Sequence, residues 1–136
     1  MLRLKHAIEI AAPREKVYQA LTNTERMALW HKGEVSGEIS PGGILHLRTG
    51  NGLDFDWRTE SLTANSEVQQ TCINGPGNSA GKTLHISLTD KNNGTLVTLT
   101  DGEWAENDPH LPLCNTHWAG VLHNLKTIVE NKEALR

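Results

Sequence analysis

Hydrophobic and polar residues alternate first near the N-terminus. His6, Ile8 and Ile10 share one phase and Ala7 and Glu9 the other, so Lys5 to Ile10 reads as a strand with one buried face. Pro13 then stands where a helix would begin, its missing N–H harmless at a first helical position, and Val17, Ala20 and Leu21 give that short helix an apolar side. Asn23 can cap a second short helix in which Met27 and Trp30 share a face. From Gly33 to Gly43 the chain is rich in turn residues, with at most one short strand around Val35 and a turn at Pro41-Gly42-Gly43.

Period-two alternation then returns in series. Leu45 and Leu47, Phe55 and Trp57, Leu84, Ile86 and Leu88, and Val97 and Leu99 each alternate with polar neighbours, while Glu67 to Ile73 is a weaker strand. Asn93-Gly94 signals a two-residue hairpin. Half-buried strands in this succession describe an antiparallel sheet. Asp101 to Asp108 reads as an acidic loop around Trp104.

The period changes from about Leu113. Trp118, Val121, Leu122, Leu125, Ile128 and Val129 form a helical stripe, with Asn124, Lys126, Glu130 and Lys132 off it. A sheet buried on one face needs a cover, and this helix is the element long enough to supply one. The expected fold is α+β: a curved antiparallel sheet of about six or seven strands, two short helices, and a long C-terminal helix over an apolar cavity. The 136 residues favour a single domain spanning residues 1–136.

Composition narrows the function classes. The net charge is -3 and the 13 basic residues are scattered singly, which argues against a nucleic-acid partner. No run approaches the roughly 18 apolar residues of a spanning helix, and no apolar secretory segment follows the first charges. A cytoplasmic protein without membrane insertion is expected. Cys72 and Cys114 are too few for a disulfide framework.

Chemistry-bearing motifs are sparse. Gly75 to Thr83 resembles a phosphate-binding loop, but Pro76 occupies its first glycine position and a strand follows, so a hairpin loop is the better reading. The seven histidines show no metal spacing; His117 and His123 lie about 240° apart around a helix. Cys114 sits near a helix start with His117 three residues on, which allows either a reactive thiolate or a small buried residue. Glu103, Glu106 and Asp108 allow acid–base work but fit a solvated loop better.

The aromatics are more informative. Four Trp, one Tyr and one Phe occur, and Trp30, Trp57, Trp104 and Trp118 all fall on interior phases or at junctions between elements. They describe an aromatic core or the wall of a cavity.

A family pattern runs through these elements. The segment Ile8 to Asn23, with Glu25-Arg26 and Trp30, resembles the opening of the SRPBCC superfamily of START-like, helix-grip proteins. Pro41-Gly42-Gly43 is similar to its glycine turn, Gly94 to Thr100 to its penultimate segment, and Cys114 to Trp118 with Leu122, Leu125 and Lys126 to its closing helix. The branch it resembles is the one named for homology to the activator of the heat-shock protein 90 ATPase, polyketide cyclase/dehydrase-like. Asp101 stands where relatives often carry a histidine.

The resemblance implies a hydrophobic pocket but no single activity. The expected function is binding of a small, largely hydrophobic molecule (a lipid, polyketide or aromatic metabolite) without cofactor or metal. Met27, Trp30, Leu47, Phe55, Trp57, Ile86, Trp104, Cys114, His117, Trp118, Val121 and Leu122 are the expected ligand-binding residues. A cyclase or dehydratase working in that cavity is the enzymatic alternative, with His6, His117 and Asp101 as the titratable candidates and no assigned catalytic residue. A co-chaperone or partner-binding domain is the third reading, and a homodimer is left open.

Overall fold

A computed structural model describes residues 1–31, 33–49 and 54–131; Lys132, expected off the helical stripe, lies outside them. Ten elements follow in order: β1 (Leu2–Ile10), α1 (Arg14–Thr22), α2 (Thr24–Trp30), β2 (Glu34–Gly37), β3 (Ile44–Arg48), β4 (Phe55–Thr63), β5 (Glu67–Asn74), β6 (Thr83–Lys91), β7 (Gly94–Trp104) and α3 (Leu111–Glu130). The strands form one curved antiparallel sheet in the order β1-β7-β6-β5-β4-β3-β2. This is the helix-grip arrangement of the α+β class.

Alternation sets which face each strand buries. Leu45, Leu47, Phe55, Trp57, Val68, Leu84, Ile86, Leu88, Val97 and Leu99 are buried on the face toward α3. On the other face His46 Nδ1 lies 2.7 Å from Asp56 Oδ1, and His85 Nε2 lies 3.4 Å from Glu67 Oε1. Each of these pairs joins a histidine to a carboxylate on a neighbouring strand.

The short helices differ from expectation in one detail. Pro13 is the N-cap of α1, with extended backbone, rather than its first helical residue. Asn23 does cap α2, its side chain accepting from Arg26 N at 3.1 Å. The hairpin between β6 and β7 turns one residue earlier than expected. Asn92 and Asn93 both have positive φ, and Gly94 already pairs with Lys91. Asparagine tolerates the left-handed region that a two-residue turn of this hand requires. Gly94 serves packing instead: a Cβ there would stand 2.5 Å from the Ile10 carbonyl oxygen.

The expected acidic loop is shorter than the sequence suggests, because β7 runs on to Trp104 through pairing with β1. Glu103 is exposed and paired with Arg3 at 3.1 Å, while Asp108 is buried and accepts from His110 N at 2.9 Å at the start of α3. These carboxylates are separated by their environments and do not form a shared acid–base site. Pro112 occupies the first turn of α3, where the lack of an N–H leaves no partner wanting.

The C-terminal half of α3 is fastened to the sheet edge. Leu125 and Val129 are buried, Lys126 Nζ donates to the Glu9 carbonyl at 2.7 Å, and Ala11 N donates to Glu130 Oε2 at 2.8 Å. Its N-terminal half lies over the β3–β6 region, where the packing leaves space.

Candidate functional site

That space is a cavity of about 40 Å³ between α3, the end of α2 and the inner face of the sheet. Helix α1 supplies Leu21; α2 supplies Met27 and Trp30, with His31 following; β3 and β4 supply Leu45, Leu47, Phe55 and Trp57. The far wall is Val68 and Gln70 of β5 with Leu84 and Ile86 of β6, and α3 closes it with His117, Trp118 and Val121. The volume suits one or two water molecules. A guest of ordinary ligand size needs the helical side to move outward.

Four aromatic side chains form one part of the wall, beside a larger number of aliphatic ones. Phe55 stacks on Trp57 with centroids 5.7 Å apart, Trp57 faces Trp118 at 6.4 Å, and Phe55 faces His117 at 6.2 Å. The tryptophans are oriented by their indole N–H groups. Trp30 Nε1 donates to the Ala20 carbonyl at 2.9 Å, and Trp118 Nε1 donates to Asp101 Oδ2 at 2.9 Å. Burying an indole with its N–H satisfied keeps the large apolar surface without an orphan donor.

Three polar side chains interrupt the wall: Gln70, His31 and His117. Gln70 Nε2 donates to Thr59 Oγ1 at 3.2 Å. His31 is only 3% exposed, and among the described residues neither of its ring nitrogens has a hydrogen-bond partner. Its ring meets that of His117 edge-on, with centroids 6.3 Å apart. Burial lowers the pKa of both imidazoles, and the neighbouring His117 lowers that of His31 further. Both are therefore neutral at pH 7.

Nine of the expected residues line the cavity: Met27, Trp30, Leu47, Phe55, Trp57, Ile86, His117, Trp118 and Val121. Three lie elsewhere. Trp104 is buried on β7 with Lys82 Nζ 4.6 Å from its ring centroid, away from the cavity because the strand continues where a loop was expected. Leu122 points toward β1, against a small cleft formed with His6 and Ala119. Cys114 is 2% exposed and outside the cavity wall. Burial first, and then the charge of Asp101, push its thiol up to about 12, and Cys72 is pushed up to about 11 by burial. Of the two readings of Cys114, a reactive thiolate or a small buried residue, its surroundings fit the second.

The other titratable candidates also divide. His6 lies in the β1–α3 cleft, on the far side of the helix stripe. Asp101 is buried but stands behind Trp118 rather than in the cavity wall. Burial raises its pKa, opposed by the Trp118 hydrogen bond; Oδ1 has no partner, and Trp104 Nε1 approaches the carboxylate without reaching hydrogen-bond geometry. Asp101 is thus a positioning residue for Trp118. His31 was missed by sequence reasoning because it follows the last residue of α2 and obeys no helical period; the strand phases of Leu45, Val68, Gln70 and Leu84 do carry the signal that places them inward. Among the described residues no group of three or more His, Cys, Asp or Glu could hold a metal ion, and no helix is long and apolar enough to cross a membrane.

The model of one family matches residues 11–130: Activator of Hsp90 ATPase homolog 1-like protein. No curated protein matches the chain. Among solved structures, the Aha1 dimer from Colwellia psychrerythraea is 31% identical, with a TM-score of 0.87 over 96% of this chain and 98% of that one. CalU16 from Micromonospora echinospora is 20% identical, with a TM-score of 0.79 over 98% of this chain and 80% of that one. PFC0360w, an HSP90 activator from Plasmodium falciparum, is 16% identical, with a TM-score of 0.78 over 95% and 96% of the two chains. The last two likenesses concern the fold. The family match and the Colwellia relative agree with the helix-grip geometry, and the chain belongs to the Activator of Hsp90 ATPase homolog 1-like family.

Proposed function

We propose that the protein binds a small, largely apolar molecule between the N-terminal half of α3 and the sheet. The observation that carries this reading is the wall itself: four aromatic side chains, Trp30, Phe55, Trp57 and Trp118, enclose an apolar space that also holds a buried, unpartnered histidine. Ligand sites combine apolar walls with a few convergent polar atoms, and this wall with His31 follows that pattern. The cavity is narrow, so binding involves outward displacement of α3 at the end that is not fastened to β1. The test is a thermal-shift screen with apolar and aromatic compounds. A guest that binds only the native state raises the melting temperature with its concentration. A panel spanning single rings, fused rings and fatty acids that leaves the melting temperature unchanged overturns the reading.

A partner-binding reading is favoured by the family description, which refers to an activator of the Hsp90 ATPase. Stimulation of that ATPase by the purified chain tests it directly. The Colwellia relative is described as a dimer, and a homodimer is the assembly we propose for this chain, checked by sedimentation.

A further inference from the structure

The polar groups of the cavity narrow the class of guest. His31 is 3% exposed and lines the cavity, its two ring nitrogens have no partner among the described residues, and His117 faces it from α3 with ring centroids 6.3 Å apart. We propose that His31 and His117 form the polar end of the cavity and hold an uncharged hydroxylated aromatic molecule by its hydroxyl group. The inference rests on the cavity taking an apolar guest, and adds what that guest must carry.

Three observations converge. A neutral imidazole offers one N–H donor and one nitrogen acceptor. A hydroxyl both donates and accepts, so it can serve either ring, and the 6.3 Å spacing is short enough for one oxygen to lie within hydrogen-bond reach of both. A purely apolar guest would leave the His31 nitrogens dry and unpaired, at the cost that burial of an unsatisfied polar group carries. A carboxylate fits less well: among the described residues no Lys or Arg lines the cavity, and Arg48 Nη1 is engaged by Asp56 at 2.9 Å and by the Leu47 and Phe55 carbonyls. An anion there would be buried without a counter-charge. The body of the guest is set by Phe55, Trp57 and Trp118, whose rings offer stacked and tilted contacts to another ring.

The experiment compares p-cresol, toluene and 4-methylbenzoate, which share one ring and one methyl group, with dissociation constants read from the tryptophan indole N–H signals in NMR titrations. Wild type is expected to bind p-cresol about tenfold more tightly than toluene, the factor equivalent to about 1.4 kcal/mol. His31→Leu and His117→Leu are each expected to remove most of that preference without weakening toluene. His117 is partly exposed, so its variant carries the test should His31→Leu not fold. Equal affinity for p-cresol and toluene, a preference that survives both substitutions, or tightest binding of 4-methylbenzoate overturns the inference and leaves the apolar cavity standing. Indole signals unmoved by toluene and by p-cresol overturn the cavity reading, and this inference with it.

Discussion

Replacing Trp118 by Phe probes the junction between the cavity wall and the buried carboxylate behind it. Phe keeps most of the ring but removes Nε1, the donor to Asp101 Oδ2 at 2.9 Å. Asp101 is 3% exposed and its other oxygen lacks a hydrogen-bond partner among the described residues, so the variant leaves a buried carboxylate with only the weak approach of Trp104 Nε1. A hydrogen bond to a charged group contributes about 1.5–3 kcal/mol, and stranding the group adds its desolvation cost. A loss of about 3 kcal/mol is expected at pH 7. With a urea m-value of about 1.5 kcal/mol/M for a chain of this size, the midpoint falls by about 2 M. The sign of the pH dependence follows from the pKa. Burial raises the Asp101 pKa and the Trp118 bond opposes it, so the variant raises it further. A raised carboxylate pKa means that the cost of ionisation vanishes at acid pH and grows as pH rises through the folded value. The deficit of W118F is therefore largest at neutral pH and shrinks toward pH 4. Adding Asp101→Leu removes both partners and recovers much of the loss, whereas independent sites would add. Urea unfolding followed by far-UV circular dichroism measures all three variants. A W118F deficit below about 0.5 kcal/mol, or strict additivity with D101L, refutes the assigned partnership.

Four further outcomes follow from the same structure. His31→Leu raises stability by about 1–2 kcal/mol at pH 7, because it removes two buried nitrogens without protein partners; a loss of that size would show that His31 has a structural role. His31 and His117 have folded pKa values below the ordinary 6.5, so the cost of charging them in the folded state is absent above the unfolded value and grows as pH falls from there toward the folded values. Urea unfolding should show a decline below pH 6.5 of up to about 1.4 kcal/mol per pH unit for each histidine, and the His31→Leu, His117→Leu double variant should lack that part of the decline. Cys72 and Cys114 should remain unlabelled by a chromogenic disulfide reagent at pH 8 until the chain is unfolded, their thiols being buried and raised to about 11 and 12; rapid labelling of the native protein would contradict this. Gly94→Ala places a Cβ about 2.5 Å from the Ile10 carbonyl, a backbone atom held by β1 and β7. A cost of about 1–3 kcal/mol is expected by thermal unfolding.

Much of the fold was legible because sheet and helix each impose a period on the chain. Phe55 with Trp57 and Leu84 with Ile86 announce the inner face, and the stripe from Val121 to Val129 announces the cover. The end of β7 was not legible. Asp101-Gly102-Glu103 is polar and reads as a loop, yet pairing with β1 and burial behind Trp118 hold it in the sheet. His31 was invisible for a different reason: its position is set by the turn after α2, and no period reports where a turn residue points. The size of the cavity was equally out of reach. It is the small remainder left when side chains from seven elements have been packed, so no single residue encodes it.

The two ends of α3 are held differently, and this has a kinetic consequence. Lys126 and Glu130 tie the late turns to the backbone of β1 and the segment after it, while the early turns rest on the cavity, with Trp118 bonded to Asp101. With about 40 Å³ free beneath it, the helix must tilt before a guest larger than water can enter. Association should then follow the protein's own opening, so that the observed rate levels off at high guest concentration instead of rising in proportion. Substitutions at Lys126 or Glu130 would loosen the pivot, and those at Asp101 the latch, changing how fast a guest arrives without touching the surface that receives it.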